Sequence, residues 1–269
     1  MEIEELEKIA REIRKDIIRL IATAGSGHTA GSLGTADLFT AFYFEIMQHD
    51  PKTPNWDRRD RLIVSCGHVC PAQYAAMARA GYFPSKELKS YCRFGSGLQG
   101  HPERGRLPGI ETTSGPLGCG LAQAAGIALG ARLDNKRFRV YCLTSDGEND
   151  SGNHWEAVAF VAKYKLANLT LFIDRNYIQV DGITEEVLPL DPLDDKYRAY
   201  NWNVIEIDGH SFEEISLAVR NARDEYQRPT VIIARTVPGK GVSFLENDYR
   251  WHAKAPNRKE VEVALKELK

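Results

Sequence analysis

RVYCLTSDGEND, residues 139–150, is the most informative stretch of this chain of 269 residues. Its first half is a nearly continuous apolar run, which is typical of a strand buried on both faces. Its second half is an acidic corner that contains a glycine. A second such run, LTLFID at 169–174, ends on Arg175 and Asn176. Apolar side chains at helical spacing lie between the two runs: Trp155, Val158, Ala159, Ala162 and Leu166. The pattern predicts a strand, a helix and a second strand parallel to the first.

The rest of the chain shows the same alternation. Three more short strands are predicted at 61–65, 203–207 and 230–237. Helical spacing predicts helices at about 3–24, 34–48, 71–81, 85–93, 116–133, 153–166, 211–227 and 257–269. Alternating strands and helices predict an α/β fold with a doubly wound, mostly parallel sheet flanked by helices. Because no repeat or linker divides the chain, we expect a single domain over 1–269, with its ligand at the carboxyl ends of the strands.

Composition argues against several classes of protein. Hydrophobic residues make up 43% and charged residues 27% of the chain, as in ordinary water-soluble domains. The formal net charge of −2 gives no reason to expect a nucleic acid or an anionic membrane as partner. No apolar run is long enough to span a bilayer, and the amphipathic start MEIEELEKIAREIRKD is unlike a signal peptide. Five cysteines without such a signal favour reduced thiols and a cytoplasmic location.

The spacing of the sequence motifs disfavours two other functions, zinc binding and simple nucleotide binding. The run CGHVC at 66–70 could be part of a metal site, since Cys and His are zinc ligands, but no second pair with zinc-like spacing follows it. Small core residues are the better interpretation of Cys66 and Cys70. A plain nucleotide-binding protein would carry GxGxxG after the first strand or a P-loop, and neither occurs.

The two strand ends at 146 and 176 are predicted to form a cation site. Asp146 and Asn176 both emerge at carboxyl ends on the same edge of the sheet, and converging oxygen ligands suit a hard cation such as Mg²⁺. A cation held there usually binds a phosphate or diphosphate, and Gly147 would let that group approach the backbone closely. The alternative is that Asp146 and Gly147 form a simple turn and that Asn176 is a loop residue.

This corner resembles the signature of thiamine-diphosphate enzymes, in which Asn follows Asp-Gly after about thirty residues. The rest of the chain resembles one family among them, transketolase. The matching motifs occur in the right order along nearly the whole chain: GSGH (25–28), GSL (31–33), CGH (66–68), GHPE (100–103), GPLGCG (115–120), IDGH (207–210) and WHAKAPN (251–257). The resemblance implies the thiamine-diphosphate-binding fold, and within it the diphosphate-binding domain.

The resemblance also implies a set of ligands. Asp146, the Asn176 side chain and the Ile178 backbone carbonyl would hold Mg²⁺, or Ca²⁺ or Mn²⁺ in its place. Gly147 would lie against the diphosphate of the cofactor. Leu117 would be the bulky residue that bends thiamine diphosphate.

Gly115 would seat the aminopyrimidine through its backbone. Four of the seven histidines lie in matching loops and are the candidate catalytic residues, because imidazole donates or accepts protons near neutral pH: His28, His68, His101 and His252. His68 and His252 would also contact the diphosphate. His49 and His154 are expected to be structural or surface residues, and His210 is expected to support a loop.

Several positions depart from the family pattern. Ser145 stands where glycine is usual, Thr29 and Ala30 follow His28 where Pro-Gly is usual, and Cys119 replaces a common glutamine. At the predicted interface between two active sites, Ser151 replaces the usual glutamate, whereas Glu156 is retained. The change at Ser151 puts proton sharing between two cofactors in doubt. The changes beside His28 leave the identity of the donor sugar open.

No part of the chain resembles the pyrimidine-binding or C-terminal domains of transketolase. We therefore expect an N-terminal subunit that needs a C-terminal transketolase subunit, with two copies of each chain in a heterotetramer. The implied reaction is reversible transfer of a two-carbon ketol unit from a ketose phosphate to an aldose phosphate. Two alternatives stay open: ketol or acyl transfer on a modified sugar or a 2-oxo acid, and a non-catalytic subunit that keeps the fold.

Overall fold

The fold is a five-stranded parallel sheet with helices on both faces, described for all residues 1–269 by a computed structural model. The sheet has the order β1-β2-β3-β7-β6, and a separate antiparallel pair, β4-β5, follows β3. The strands are β1 (Arg61–Val64), β2 (Val140–Ser145), β3 (Leu169–Arg175), β4 (Ile178–Gln179), β5 (Gly182–Ile183), β6 (Asn203–Asp208) and β7 (Thr230–Arg235). All five predicted strands exist, and the predicted fold class is confirmed.

Ten α-helices connect and cover the strands. They are α1 (Ile3–Ala24), α2 (Thr29–Gly34), α3 (Ala36–Ala41), α4 (Cys70–Ala80), α5 (Gly120–Leu133), α6 (Gly152–Lys163), α7 (Thr184–Val187), α8 (Leu193–Ala199), α9 (Phe212–Asp224) and α10 (Arg258–Glu267). No helix combines the length and the apolar character needed to cross a bilayer.

The strands alternate their side chains between two cores. Tyr141 and Leu143 of β2 pack into the larger core with α1, α3, α4, α9 and α10. Val140 and Cys142 of the same strand pack into the smaller core with α5, α6 and α8. Because successive strand residues point to opposite faces, both faces of β2 are covered, which explains its continuous apolar sequence.

Three predicted helices differ from the structure. The predicted helix 34–48 is observed as α3 followed by a π-helical turn at Phe42–Ile46, and α2, which ends at Gly34, precedes it. The Thr35 hydroxyl donates to the Gly31 and Ser32 carbonyls, and such a bond competes with regular helix geometry. Segment 85–93 is a 3-10 turn at Ser85–Ser90, after which Tyr91 turns into the core.

The predicted helix 116–133 begins four residues later, at Gly120. The backbone N–H of Gly118 donates to the Glu148 side chain instead of entering a helix. Gly118 also has a φ of 82°, which is outside the right-handed helical region. The segment 115–119 is therefore a loop that leads into α5.

Strand register brings the two predicted corners together. Ser145 of β2 pairs with Asp174 of β3, and the backbone N–H of Asp146 donates to the Asp174 carbonyl. Asp146 and Asn176 therefore leave the sheet side by side, as parallel strands require.

Candidate active site

The predicted cofactor, metal and catalytic residues converge on one cavity of about 320 Å³ at the carboxyl edge of the sheet. Every residue predicted to bind cofactor or metal or to act in catalysis lines it: His28, His68, His101, Gly115, Leu117, Asp146, Gly147, Asn176, Ile178 and His252. Four further residues line the cavity without having been predicted: Ser145, Gln179, Val180 and Asp181. Loops from opposite ends of the chain thus meet at one place.

Asp146 is the most heavily hydrogen-bonded group of this cavity. Its Oδ1 atom accepts from the Gly147 backbone N–H at 2.7 Å. Its Oδ2 atom accepts from the Tyr177 backbone N–H at 2.8 Å, from Arg175 at 3.2 Å and from the Thr184 hydroxyl at 3.3 Å. The carboxylate is fixed in place, and Oδ1 keeps room for a further partner because it has one donor and more than one lone-pair site.

Asn176 is oriented with its oxygen available. Its Nδ2 atom donates to Asp174 at 2.7 Å, and its Oδ1 atom accepts from the Ile178 backbone N–H at 3.0 Å. Because one end of the side-chain amide faces a carboxylate acceptor and the other faces a backbone N–H donor, the positions of its nitrogen and oxygen are unambiguous. The carbonyl oxygen therefore faces Ile178, the third residue of the predicted set, and the combination of carboxylate, amide and backbone oxygens suits a hard divalent cation.

The charges at this corner also favour a bound cation. Burial outweighs the attraction of Arg175 and raises the pKa of Asp146 to about 6. Burial, with the nearby charge of Asp146, raises the pKa of Asp174 to about 7. Arg175, the one cation in contact with Asp146, is shared with Glu185 and Asp191. Two buried carboxylates with one shared arginine leave an excess of negative charge, so the residues present fit a bound divalent cation.

The four predicted catalytic histidines form a cluster on the opposite wall. The ring centroid of His28 lies 5.2 Å from that of His68, 6.0 Å from that of His101 and 5.4 Å from that of His252. His68 and His252 are 5.3 Å apart. No acidic side chain hydrogen-bonds to these rings, so all four imidazoles remain available to a ligand.

Burial keeps these imidazoles neutral. It lowers the pKa of His28 to about 4, helped by repulsion from His252 and His101. It lowers the pKa of His68 well below its usual value, and lowers the pKa of His101 and of His252. A neutral imidazole has one donor and one acceptor nitrogen, so near pH 7 the cluster can both give and take a proton.

The other three histidines have structural partners. His49 contacts the Tyr43 carbonyl and the Tyr82 hydroxyl. His154 is fully buried and contacts the Tyr197 hydroxyl at 2.6 Å. The Val237 backbone N–H donates to Nε2 of His210 at 2.8 Å, which puts the ring proton on Nδ1, facing Asp37 at 2.7 Å. His210 thus ties the segment after β7 to α3, in agreement with the predicted role in supporting a loop.

The buried His154 predicts a specific acid sensitivity. Burial lowers its pKa from 6.5 to about 4, so between these values the unfolded chain binds a proton that the folded chain does not. Its contribution to stability is therefore lost as the pH falls from 6.5 towards 4, by about 3 kcal/mol in total. We expect His154→Gln to be destabilised less by this acidification than the wild type. The measurement is urea unfolding of both proteins at pH 7.0 and pH 4.5.

Comparing the two proteins isolates His154 from other titrating groups. Asp146 and Asp174 have raised pKa values, so their effect has the opposite sign and is common to both proteins. An equal loss of stability on acidification in wild type and variant would contradict the prediction.

Glu148 is the buried carboxylate that sequence reasoning missed. It follows the predicted corner directly, lies in the 3-10 turn Gly147–Asp150, and is completely buried. The sequence signal is an acidic residue next to Asp-Gly, which indicates an acidic corner but not a buried carboxylate that supports a loop. Gln179 was missed because it belongs to the short strand β4, which has too few residues to leave a pattern.

Ser151 and Glu156 lie away from the cavity. Ser151 immediately precedes α6, and Glu156 is exposed on that helix. Their role at an interface stays a prediction. Cys66 and Cys70 are buried free thiols, with Cys70 directed at the Gly100 carbonyl.

Comparison with known proteins identifies the family. Residues 6–268 match the family described as "Transketolase, thiamine diphosphate binding domain". A relative from Clostridium sp. (strain MSTE9), named 6-deoxy-6-sulfo-D-fructose transketolase subunit SqwG, is 42% identical over 92% of this chain and 90% of its own length. A relative from Actinobacillus succinogenes, named as one of the subunits of apulose-4-phosphate transketolase, is 39% identical over 99% of this chain and 96% of its own length.

Larger transketolases match over part of their length. Human transketolase is 33% identical over 98% of this chain, which corresponds to 42% of that protein. The crystal structure of transketolase from Campylobacter jejuni has a TM-score of 0.94 and 31% identity, and the match covers 100% of this chain and 43% of that one. The cavity, the strand register and these similarities confirm the predicted family: the chain belongs to the transketolases and matches their thiamine diphosphate binding domain.

Proposed function

We propose that this chain is the diphosphate-binding subunit of a two-chain transketolase. Together with a chain that carries the pyrimidine-binding and C-terminal domains, it transfers a two-carbon ketol unit reversibly from a ketose phosphate to an aldose phosphate. The observation that carries the proposal is the convergence of the residues predicted to bind cofactor or metal or to act in catalysis on one cavity. The two relatives of similar length are named as transketolase subunits, which supports a division of the enzyme between two chains.

The assembly follows from this division. Residues 1–269 are proposed to form one thiamine-diphosphate domain, and two copies of it to combine with two copies of the partner chain. Ser151 and Glu156 are proposed to face the interface between active sites. A cytoplasmic location is part of the proposal, supported by the five free cysteines.

The cation is proposed to be Mg²⁺, or Ca²⁺ or Mn²⁺ in its place, held by Asp146, Asn176 and the Ile178 carbonyl. The support is the donor set described above and the excess of buried negative charge beside it. Gly147, at the same corner, is proposed to lie against the diphosphate.

The cofactor is proposed to lie between this corner and the histidine cluster. When bound, thiamine diphosphate supplies the carbanion chemistry, and the protein supplies binding, orientation and electrostatics. Leu117 presents an aliphatic side chain that is 43% exposed, and Gly115 offers its backbone beside His101. These two are proposed to seat the thiamine, with His68 and His252 contacting the diphosphate.

His28 and His101 are proposed to face the sugar. Their neutral rings can accept a proton from a sugar hydroxyl or donate one to a carbonyl oxygen, as ketol transfer requires. His68 and His252 can assist these proton transfers because they adjoin His28.

The test is co-expression with a candidate partner chain, followed by an assay of ketol transfer from xylulose 5-phosphate to ribose 5-phosphate. We expect turnover only when both chains, thiamine diphosphate and Mg²⁺ are present, and loss of turnover with EDTA. A purified chain that turns over substrate without a partner would refute the two-chain proposal. A complex that binds the cofactor but transfers no ketol unit from any donor would favour a non-catalytic subunit.

The relatives favour one second candidate for the donor, a modified sugar. The two relatives named for a sulfosugar and for apulose 4-phosphate are 42% and 39% identical, whereas human transketolase is 33% identical. Thr29 and Ala30, which depart from the family pattern beside His28, are both buried. A donor panel with 6-deoxy-6-sulfofructose and apulose 4-phosphate beside xylulose 5-phosphate separates the two candidates by their kcat/KM values.

A further inference from the structure

We propose that Glu148 is a positioning residue, whose buried carboxylate fixes the segment 115–120 and thereby the place of Leu117 in the cavity. The inference rests on the proposed function, because it assigns Leu117 to the thiamine half of the cofactor. Glu148 does not line the cavity, so it acts through the backbone of its neighbours and not on the ligand.

The carboxylate of Glu148 collects donors from three elements. Its Oε1 atom accepts from the Gly118 backbone N–H at 2.6 Å and from the Ser65 hydroxyl at the end of β1. Its Oε2 atom accepts from the Ser145 backbone N–H, at 3.3 Å, at the end of β2. Hydrogen bonds to an ionised acceptor are stronger than neutral ones, so the group holds these three elements in one arrangement.

Ser65 extends the connection to α5. Its hydroxyl donates to Glu148, and its oxygen accepts from the Gly120 backbone N–H at 2.9 Å. Gly118 and Gly120 flank the end of the loop that carries Leu117. Glu148 and Ser65 therefore hold that loop at two nearby backbone amides on the C-terminal side of Leu117.

Glu148 forms no salt bridge, although it is completely buried. Its charge is compensated by hydrogen-bond donors alone, and such a group is tolerated only where the donors are held in place. A structural ion pair would need no such arrangement of loop amides. The arrangement of these donors indicates that the carboxylate keeps the loop in its conformation.

Leu117 depends on this backbone support. With 43% of its surface exposed, the side chain has little packing of its own to define its position. On the other side of the loop, a Cβ atom at Gly118 would lie 2.7 Å from the Ser151 Cβ, so the backbone is pressed against the start of α6. The loop is clamped between α6 and Glu148, and releasing Glu148 frees it on one side.

The first experiment measures hydrogen–deuterium exchange of the full chain without ligand. Glu148→Gln removes the charge, and its amide oxygen can accept from Gly118 and Ser65 only while its NH2 group faces the Ser145 backbone N–H. Because hydrogen bonds to a neutral acceptor are weaker, we expect the amides of segment 115–120 to exchange at least about 10-fold faster. The amides of Tyr177 and Ile178, on the cation side, should keep wild-type rates. Asp150→Asn is the matched control, because Asp150 lies in the same turn but pairs with Gln179. Unchanged exchange in segment 115–120 would overturn the proposal.

The second experiment compares two ligands by calorimetry on the complex with the partner chain, in the presence of Mg²⁺. We expect Glu148→Gln to weaken binding of thiamine diphosphate about 10-fold and to leave binding of inorganic diphosphate within about 2-fold of wild type. Equal weakening of both ligands, or of neither, would contradict the positioning role. If the wild-type complex with the partner chain bound no thiamine diphosphate, the proposed cofactor site would fail, and the exchange experiment would still decide the role of Glu148.

Ser65→Ala provides a milder second variant in case Glu148→Gln folds poorly. It removes one donor to Glu148 and the acceptor of the Gly120 amide while keeping the carboxylate. Faster exchange confined to segment 115–120 supports the proposal, and wild-type exchange there contradicts it.

Discussion

Replacing Asp146 with alanine is expected to abolish Mg²⁺-dependent binding of thiamine diphosphate while the chain stays folded. Residues that only support metal ligands already change affinity by about 10- to 100-fold, so loss of a proposed direct ligand should cost at least about 100-fold. The fold should survive, because Arg175 keeps its ion pairs with Glu185 and Asp191 when Asp146 is removed. No buried arginine is then left without a partner.

The measurement for Asp146→Ala is calorimetric titration of the complex with the partner chain with thiamine diphosphate at saturating Mg²⁺, together with circular dichroism of the chain. Asp181→Asn is the matched control, because Asp181 also lines the cavity and loses the same charge, but it belongs to no proposed cation set. We expect this control to bind within a few-fold of wild type. An Asp146→Ala protein that binds the cofactor as tightly as wild type would refute the assignment of the cation to this corner.

The features that could be predicted from sequence are those with a local signal. Continuous apolar runs predict buried parallel strands, and the five strands follow. The placement of Asp146 and Asn176 at the same edge of the sheet follows as well, because a right-handed crossover leaves only one arrangement of the two strand ends. The four histidines His28, His68, His101 and His252 are predicted because their loops resemble family motifs. In the structure, the ring centroids of the other three lie within 6.0 Å of that of His28.

The features that were missed depend on contacts between distant segments. The position of Glu148 beside Asp-Gly does not reveal its role, since two of its three donors, Gly118 and Ser65, are distant in sequence and Ser65 lies 83 positions away. The late start of α5 has the same origin, because tertiary hydrogen bonds at Gly118 overrule the helical spacing of its sequence. Local patterns thus predict elements, whereas the supports of the site arise where elements meet.

Gly120 gives the largest expected effect on stability. An added Cβ atom at this position would lie 2.7 Å from the Ser65 Cα atom, a distance that real Cβ atoms essentially never show. Neither side can give way easily, since Ser65 follows β1 in the sheet and Gly120 is the first residue of α5. We therefore expect Gly120→Ala to lower the free energy of unfolding by about 3 kcal/mol, the upper end of the usual cost of overpacking.

The same helix contains a matched control for the methyl group itself. Gly126 has no atom within 4 Å of an added Cβ, so Gly126→Ala should raise stability by up to about 1 kcal/mol through helix propensity. Urea unfolding of wild type and both variants measures the two effects, which should have opposite signs. Because moving α5 from Ser65 also disturbs the Glu148 bonds, Gly120→Ala should bind thiamine diphosphate more weakly even under conditions in which it is fully folded. Wild-type stability of Gly120→Ala would mean that α5 does not pack against Ser65 as closely as the structure describes.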